Sequence, residues 1–441
     1  MEMEIYVHIP FCVKKCGYCD FVSGPAGEKV QRAYMEALRR EICLAAKEGR
    51  VGKFKQSAGR VEKRRQGDFW KNETESPVDE RMTSVFFGGG TPSIVAAEEI
   101  AETLACIRRE FVLAVDAEIT LEANPGTLTR EKLACYREAG INRLSIGLQS
   151  AEDGELVLLG RIHTFSEFQE SYRLAREAGF ENINVDLMAA LPGQTIESFE
   201  KSLLAVKELS PGPEHLSVYS LIIEEGTPFY EQYHKQAQAR ASGEENCAPL
   251  PSEEEERAMY ALTGQILGAS GYRRYEISNY AKPGFSCKHN VGYWTGVPYL
   301  GFGISSASYM GGKRYANLPD LERYLEILSD QGAGSREGLE KGRDLETFLE
   351  KIRGEEEVVN EKRAMEEFLF LGLRMMRGVS EEEFERRFGK KMEAVYGTVL
   401  AVMERDGLME RTVSGGQRER RWHLTARGID VSNYVLAEFL L

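Results

Sequence analysis

Cys12, Cys16 and Cys19 fall within eight residues, in the stretch YVHIPFCVKKCGYCDF, with three residues between the first two and two between the second pair. Zinc ribbons and fingers need four ligands, usually as two separated pairs. No second Cys/His pair lies nearby, and the chain holds only six histidines. Three soft thiolates on one loop suit an iron–sulfur cluster better. A cubane held by three cysteines keeps one iron free of protein ligands, and an exchangeable ligand can bind there. The other five cysteines, Cys43, Cys106, Cys135, Cys247 and Cys287, are scattered, and most of them read as buried small hydrophobes.

Further polar residues recur just past short apolar runs. Gly88–Gly90 precedes Thr91-Pro92, and glycine lets a backbone approach a ligand closely with free φ. Glu122, Gln149, Arg161 and Asp186 sit at or just after later apolar runs. Buried without partners, each would cost about 1–3 kcal/mol, so a polar ligand is a natural partner for them.

The elements that must position these groups alternate strand and helix. Strands are expected at Ile5–His8, Ser84–Phe87, Glu118–Glu122, Arg143–Ile146, Asn182–Leu187 and His215–Ser220. Helical periodicity lies between them at Arg32–Ala46, Glu98–Arg109, Glu131–Glu138, Glu167–Glu177 and Ile196–Leu209. That order predicts parallel strands with crossover helices, here an α/β partial barrel of six units, with its chemistry at the strand C-terminal ends. The expected division is a barrel over residues 1–230, a barrel-completing region over 231–330, an acidic linker over 331–360 and a C-terminal domain over 361–441. Residues 49–81 and 234–257, and the Gly- and Glu-rich stretch 331–361, read as inserted solvated loops or mobile segments. The C-terminal part predicts helices at Glu361–Met376, Glu381–Phe388 and Val395–Arg405, a hairpin around Gly415–Gly416 and a last helix from Thr425. This is a mainly helical, winged-helix-like outline.

With 56 Lys plus Arg against 70 Asp plus Glu, the net charge of −14 argues against a nucleic-acid partner and leaves at most peripheral membrane contact. No run approaches the ~18 apolar residues of a membrane span. The opening MEMEIYVHIPFC lacks the basic and apolar regions of a signal peptide, so a cytoplasmic location is expected.

The Cx3Cx2C spacing with Tyr18 before the last cysteine resembles the signature of radical S-adenosylmethionine proteins. YVHIPFC, FGGGTPS, EANPGTL, RLSIGLQS, ALPGQT, YEISNYA and KHNVGYW together resemble the HemN/HemW group of that superfamily over nearly the whole chain. The resemblance implies a [4Fe–4S] cluster on Cys12, Cys16 and Cys19. It implies S-adenosylmethionine contacts from Tyr6, Tyr18, Gly89, Gly90, Thr91, Glu122, Gln149, Arg161 and Asp186, with Ser220 matching by position more than by type. It assigns no catalytic residue. The group holds an oxygen-independent coproporphyrinogen III oxidase and a heme chaperone. The oxidase pattern has a fourth cysteine where Phe21 stands here, and a segment before the motif, which here begins at Cys12. Decarboxylation is therefore not expected, with the oxidase kept as the alternative. The chaperone branch carries HNxxYW, matched by His289, Asn290, Tyr293 and Trp294. A neutral imidazole can ligate heme iron, and Tyr and Trp rings can cover a macrocycle face. The resemblance thus implies heme binding, heme-accepting proteins (respiratory enzymes among them) as partners, and an electron donor for the cluster.

Overall fold

The computed structural model describes residues 2–58, 80–242, 248–329, 348–413 and 419–440. Six parallel strands form the frame: β1 (Glu2–Ile9), β2 (Arg81–Gly89), β3 (Leu113–Ala123), β4 (Arg143–Gln149), β5 (Ile183–Ala189) and β6 (His215–Ser220). They neighbour one another in chain order, so each crossover advances in the same sense and the sheet curls as a barrel wall does. All seven residues of β4 are buried, the pattern of a strand covered on both faces. Outside the wall, α1 (Glu28–Ala58) follows the cysteine loop and α2 (Ala97–Glu110) follows the glycine loop. Thr164 and Thr195 close capping boxes at the starts of two later helices, each satisfying N–H groups left open by the first turn.

Among the described residues the barrel does not close on itself. The strands β7 (Arg273–Arg274), β8 (Asn279–Ala281), β9 (Tyr299–Phe302), β10 (Ala307–Met310), β11 (Lys313–Ala316) and β12 (Glu357–Val358) extend it at both edges. β8 runs antiparallel to β6, and β9 parallel to β1. The result is one twelve-stranded sheet with β1–β6 at its centre. This is the expected α/β partial barrel.

The three stretches read as solvated loops are more structured than expected. α1 continues through Ala58, and the rest of that basic stretch, 59–79, lies outside the described residues. Helices Pro228–Ala241 and Glu253–Ala269 cover most of 234–257. Ser252 caps the second of these, and its four leading glutamates favour the positive end of the helix dipole; their charge is helix-starting rather than loop-solvating. In the third, Phe348, Leu349, Ile352 and Val359 are buried, and apolar anchoring overrides the acidic composition. Residues 331–347 of that stretch lie outside the described set, as does Cys247.

The C-terminal part packs around its own apolar cluster, which includes Leu369, Phe384, Tyr396, Leu400 and Val435. Helices Glu361–Gly372, Glu381–Phe388 and Met392–Arg405 precede a hairpin of Met409–Val413 with Arg420–Leu424. Val379–Ser380 adds a third strand, completing a winged-helix-like outline. Thr425 caps Ala426–Asp430, and Ser432–Ala437 follows as a separate helix.

Candidate functional site

β1 ends at Ile9 and hands the chain to the cysteine loop, which is pinned at both ends. Gly24 bridges to Phe11, and the Cys12 N–H donates to the Gly24 carbonyl at 3.0 Å. In the middle, the Gly17 N–H reaches the Leu159 carbonyl, and the Phe229 N–H reaches the Gly17 carbonyl. A Cβ on Gly17 would stand 2.6 Å from the Phe229 ring. Beneath the loop, a ring nitrogen of His8 lies 3.0 Å from the Val22 carbonyl. The three cysteines are free thiols, each partly accessible.

The glycine loop interlocks with this one. The Gly90 N–H donates to the Ile9 carbonyl and the Thr91 N–H to the Phe11 carbonyl. A Cβ on Gly90 would come 2.6 Å from the Phe11 carbonyl oxygen. Gly89 holds φ +108°, and its Cβ would meet the His8 ring at 2.6 Å. These glycines are therefore needed for the fit of one loop against the other, in addition to any approach by a ligand.

A polar chain joins the loops across the strand ends. The Thr91 hydroxyl is 3.5 Å from the Cys12 sulfur and accepts from the Asn124 amide at 2.8 Å. The Arg161 guanidinium donates to the Asn124 side chain (2.7 Å) and the Gly147 carbonyl (2.6 Å), and reaches the Cys16 sulfur at 4.0 Å. A half-buried cation thus stands beside the thiols. Gln149 ends β4 at φ +73°, a conformation that costs a non-glycine residue energy, and accepts from the Tyr219 hydroxyl. Tyr18 packs on Phe229. Tyr6 lies 3.2 Å from His8, and Ser220 closes β6 beside Ala189.

Two half-buried acidic residues face this circle. Burial, and then the charge of Asp186, push Glu122 up to about 8. Burial likewise raises Asp186, while Asn184 and Ser145 hydrogen bonds oppose the rise. Glu122 accepts from the Gly89 N–H at 3.2 Å. Such a pair favours a positively charged guest, which would restore the carboxylate form.

His289, Tyr293 and Trp294 lie on the helix Lys288–Thr295, and His289 adjoins that circle through Tyr6, whose ring stacks on it at 6.3 Å. His289 points into the barrel wall and is 2% exposed. Its Nδ1 lies 2.8 Å from the Ser84 hydroxyl and 3.5 Å from Glu4. Phe86 stacks on it at 5.0 Å, and Tyr293 meets it edge-on at 4.8 Å. Burial, and then Arg143, hold its pKa near 3, so the imidazole is neutral. Its Nε2 has no hydrogen-bond partner among the described residues, nor has the Trp294 indole N–H. Asn290 is half-buried on the same helix. Tyr293 and Trp294 line a cleft of about 420 Å³ against the C-terminal domain, walled by Phe368, Leu371, Arg377 and Arg387. The Arg374 guanidinium covers the Trp294 ring at 4.3 Å and lies 3.8 Å from Glu276.

Over 99% of its length and 98% of the relative's, the chain is 34% identical to the heme chaperone HemW of Bacillus subtilis. It belongs to the HemW family. Identity to the heme chaperone HemW of Lactococcus lactis is 32%, over 99% of this chain and 97% of that one. Residues 6–206 match the radical SAM superfamily, and residues 359–431 match the HemN C-terminal domain. The solved structure of coproporphyrinogen III oxidase (HemN) from Escherichia coli superposes with a TM-score of 0.70 at 23% identity, covering 99% of this chain and 90% of that one. That likeness is one of fold.

The radical SAM assignment brings a [4Fe–4S] cluster and S-adenosylmethionine, and the donor set fits both. No three His, Cys, Asp or Glu side chains among the described residues surround a point suited to one metal ion. A cubane presents a separate iron to each thiolate, so its three cysteines need not converge. The half-buried Glu122–Asp186 pair suits the ammonium and sulfonium charges of the cofactor.

Asn124 and Tyr219 were not singled out by sequence, although both sit in the strand-end motifs. Asn124, inside EANPG, is the residue that links Arg161 to Thr91.

Proposed function

We propose that the protein is a cytoplasmic heme chaperone. It holds a [4Fe–4S] cluster on Cys12, Cys16 and Cys19, with S-adenosylmethionine beside Tyr6, Tyr18, Gly89, Gly90, Thr91, Glu122, Gln149, Arg161, Asp186 and Ser220. It carries heme to acceptor proteins, respiratory enzymes among them, and a donor protein supplies electrons to the cluster. A cluster bound there would supply one-electron reducing power to the cofactor. Arg161 and Thr91 orient the thiols, and Glu122 and Asp186 balance the cofactor's positive charge. No helix among the described residues is long and apolar enough to cross a membrane, which accords with this reading.

The observation that carries the heme assignment is the neutral imidazole of His289 with its unpaired Nε2, on the helix whose last turn lines the aromatic cleft. A buried unsatisfied nitrogen costs free energy unless a partner completes it, and heme iron is such a partner. Arg377 and Arg387 on the cleft wall suit the propionates. Because the ring is enclosed, ligation requires the helix Lys288–Thr295 to shift outward, with Asn290 at its turn. His289→Ala is expected to shift or remove the Soret band of the heme-loaded protein with the cluster spectrum unchanged. Trp294→Ala should weaken heme binding by a smaller step, on the order of 1 kcal/mol. A His289→Ala protein with unaltered heme spectrum and affinity, and only a lowered melting temperature, would reduce His289 to a packing residue.

The enzyme alternative is tested on the same anaerobic sample. Coproporphyrinogen III incubated with reductant and S-adenosylmethionine should come back unchanged, because Phe21, an exposed side chain, stands where the oxidase pattern has cysteine. Protoporphyrinogen formed over many turnovers would establish the oxidase reading instead.

A further inference from the structure

Two of the scattered cysteines meet within the core packing. Cys43 on α1 and Cys106 on α2 face each other with their sulfurs 3.4 Å apart. Arg109 points a guanidinium nitrogen at both, 3.5 Å from Cys43 and 3.3 Å from Cys106. Cys106 is buried, at 2% exposure, whereas Cys43 is partly open to solvent. A bonded disulfide needs about 2.05 Å between sulfurs, so these are thiols in contact, one accessible and one enclosed.

We propose that Cys43 and Cys106 form a redox-modified dithiol that exchanges with low-molecular-weight disulfides and closes to a Cys43–Cys106 bond. Cys43, the accessible member, attacks one sulfur of the small disulfide. Its S–S bond breaks, and one small thiolate leaves with the electron pair. The Cys106 thiol then gives up its proton and attacks the Cys43 sulfur of the mixed disulfide, expelling the second small thiolate. Two protein thiols are oxidised, one small disulfide is reduced to two thiols, and the two protons end on the leaving groups. The Cys106 hydrogen bond, and then Arg109, bring the Cys43 thiol down to about 6, while that same contact and burial raise Cys106, so the first attack falls to Cys43. The partly open position of Cys43 supplies access, and the enclosed Cys106 supplies the resolving thiol.

The pair is separate from the cluster ligands. α1 leaves the strand ends shortly after the cysteine loop, and at 1.5 Å per residue Cys43 lies roughly 22 Å along it; Cys106 lies roughly 14 Å along α2. Closing the bond would tie together the two helices that follow the cysteine loop and the glycine loop.

The test uses the full chain with its cluster assembled, treated under argon with oxidised glutathione, then alkylated and digested with trypsin. The expected product is a cross-link between peptides 41–47 and 82–108, with a raised melting temperature. Cys106→Ser should stop at a Cys43–glutathione adduct, and Cys43→Ser should leave Cys106 reduced. Arg109→Ala should slow the first step on the order of tenfold. The proposal is overturned if both thiols of the unaltered chain are recovered alkylated, or if Cys43 accumulates as the glutathione adduct with no cross-link.

Discussion

Cys16→Ala should give a folded, colourless protein. Cys16 is one of three thiolates on a single loop, and a cubane deprived of one of three protein ligands has two unprotected irons. The fold has little to lose, since Cys16 is only partly buried. Arg161 keeps its bonds to Asn124 and Gly147 without the sulfur, and the loop keeps its Gly17 and Gly24 bonds to Leu159, Phe229 and Cys12. After anaerobic reconstitution, iron and sulfide should fall from about four each per chain to near zero, with the melting temperature of the unreconstituted protein almost unchanged. Zinc bound tightly in the parent protein, with no sulfide, would sink the cluster assignment.

Gly90→Ala is expected to do the reverse, damaging the scaffold and the cluster together. Its Cβ would lie 2.6 Å from the Phe11 carbonyl oxygen and 2.9 Å from the Phe11 nitrogen, and backbone cannot rotate aside as a side chain can. Phe11 is locked in the core against Tyr34, so the strain passes to its neighbour Cys12. Overpacking of this kind costs typically 1–3 kcal/mol, or roughly 1–3 °C of melting temperature at this chain size. Reconstituted iron should drop in parallel. Gly154→Ala serves as the control, because nothing stands within 4 Å of its Cβ. Equal melting temperatures and equal iron content for Gly90→Ala and Gly154→Ala would refute the interlocked-loop account.

The central barrel was legible because its strands end in turn chemistry. Each apolar run is followed by glycine, proline or polar residues, and β6 has the bounds expected from sequence, His215–Ser220. The edge strands were not legible: β7, β8 and β12 hold two or three residues each, too few for any periodicity to register. Acidic composition also hid structure, since Glu253–Glu256 looked like a solvated run and is a capped helix start. At the site, residue types and spacing exposed the cysteines, the glycine loop and the half-buried carboxyls. The partnerships were out of reach, because Asn124 and Arg161 are 37 residues apart and Cys43 and Cys106 are 63 apart. Only the parallel stacking of β1–β6 brings such positions together.

The contact of Arg374 with Trp294 has a thermodynamic corollary. Arg374 follows the first helix of the C-terminal domain, Trp294 sits on the His289 helix, and a backbone bridge joins Glu276 to Met375 beside them. On the proposed reading, heme ligation swings the His289 helix outward and must break or carry this contact, so heme occupancy and the posture of the C-terminal domain would be linked quantities. By reciprocity, a protein that docks on that domain more tightly in one posture changes heme affinity by the same factor that heme changes the docking. Cargo release could then be driven by the recipient's own grip, with no separate trigger.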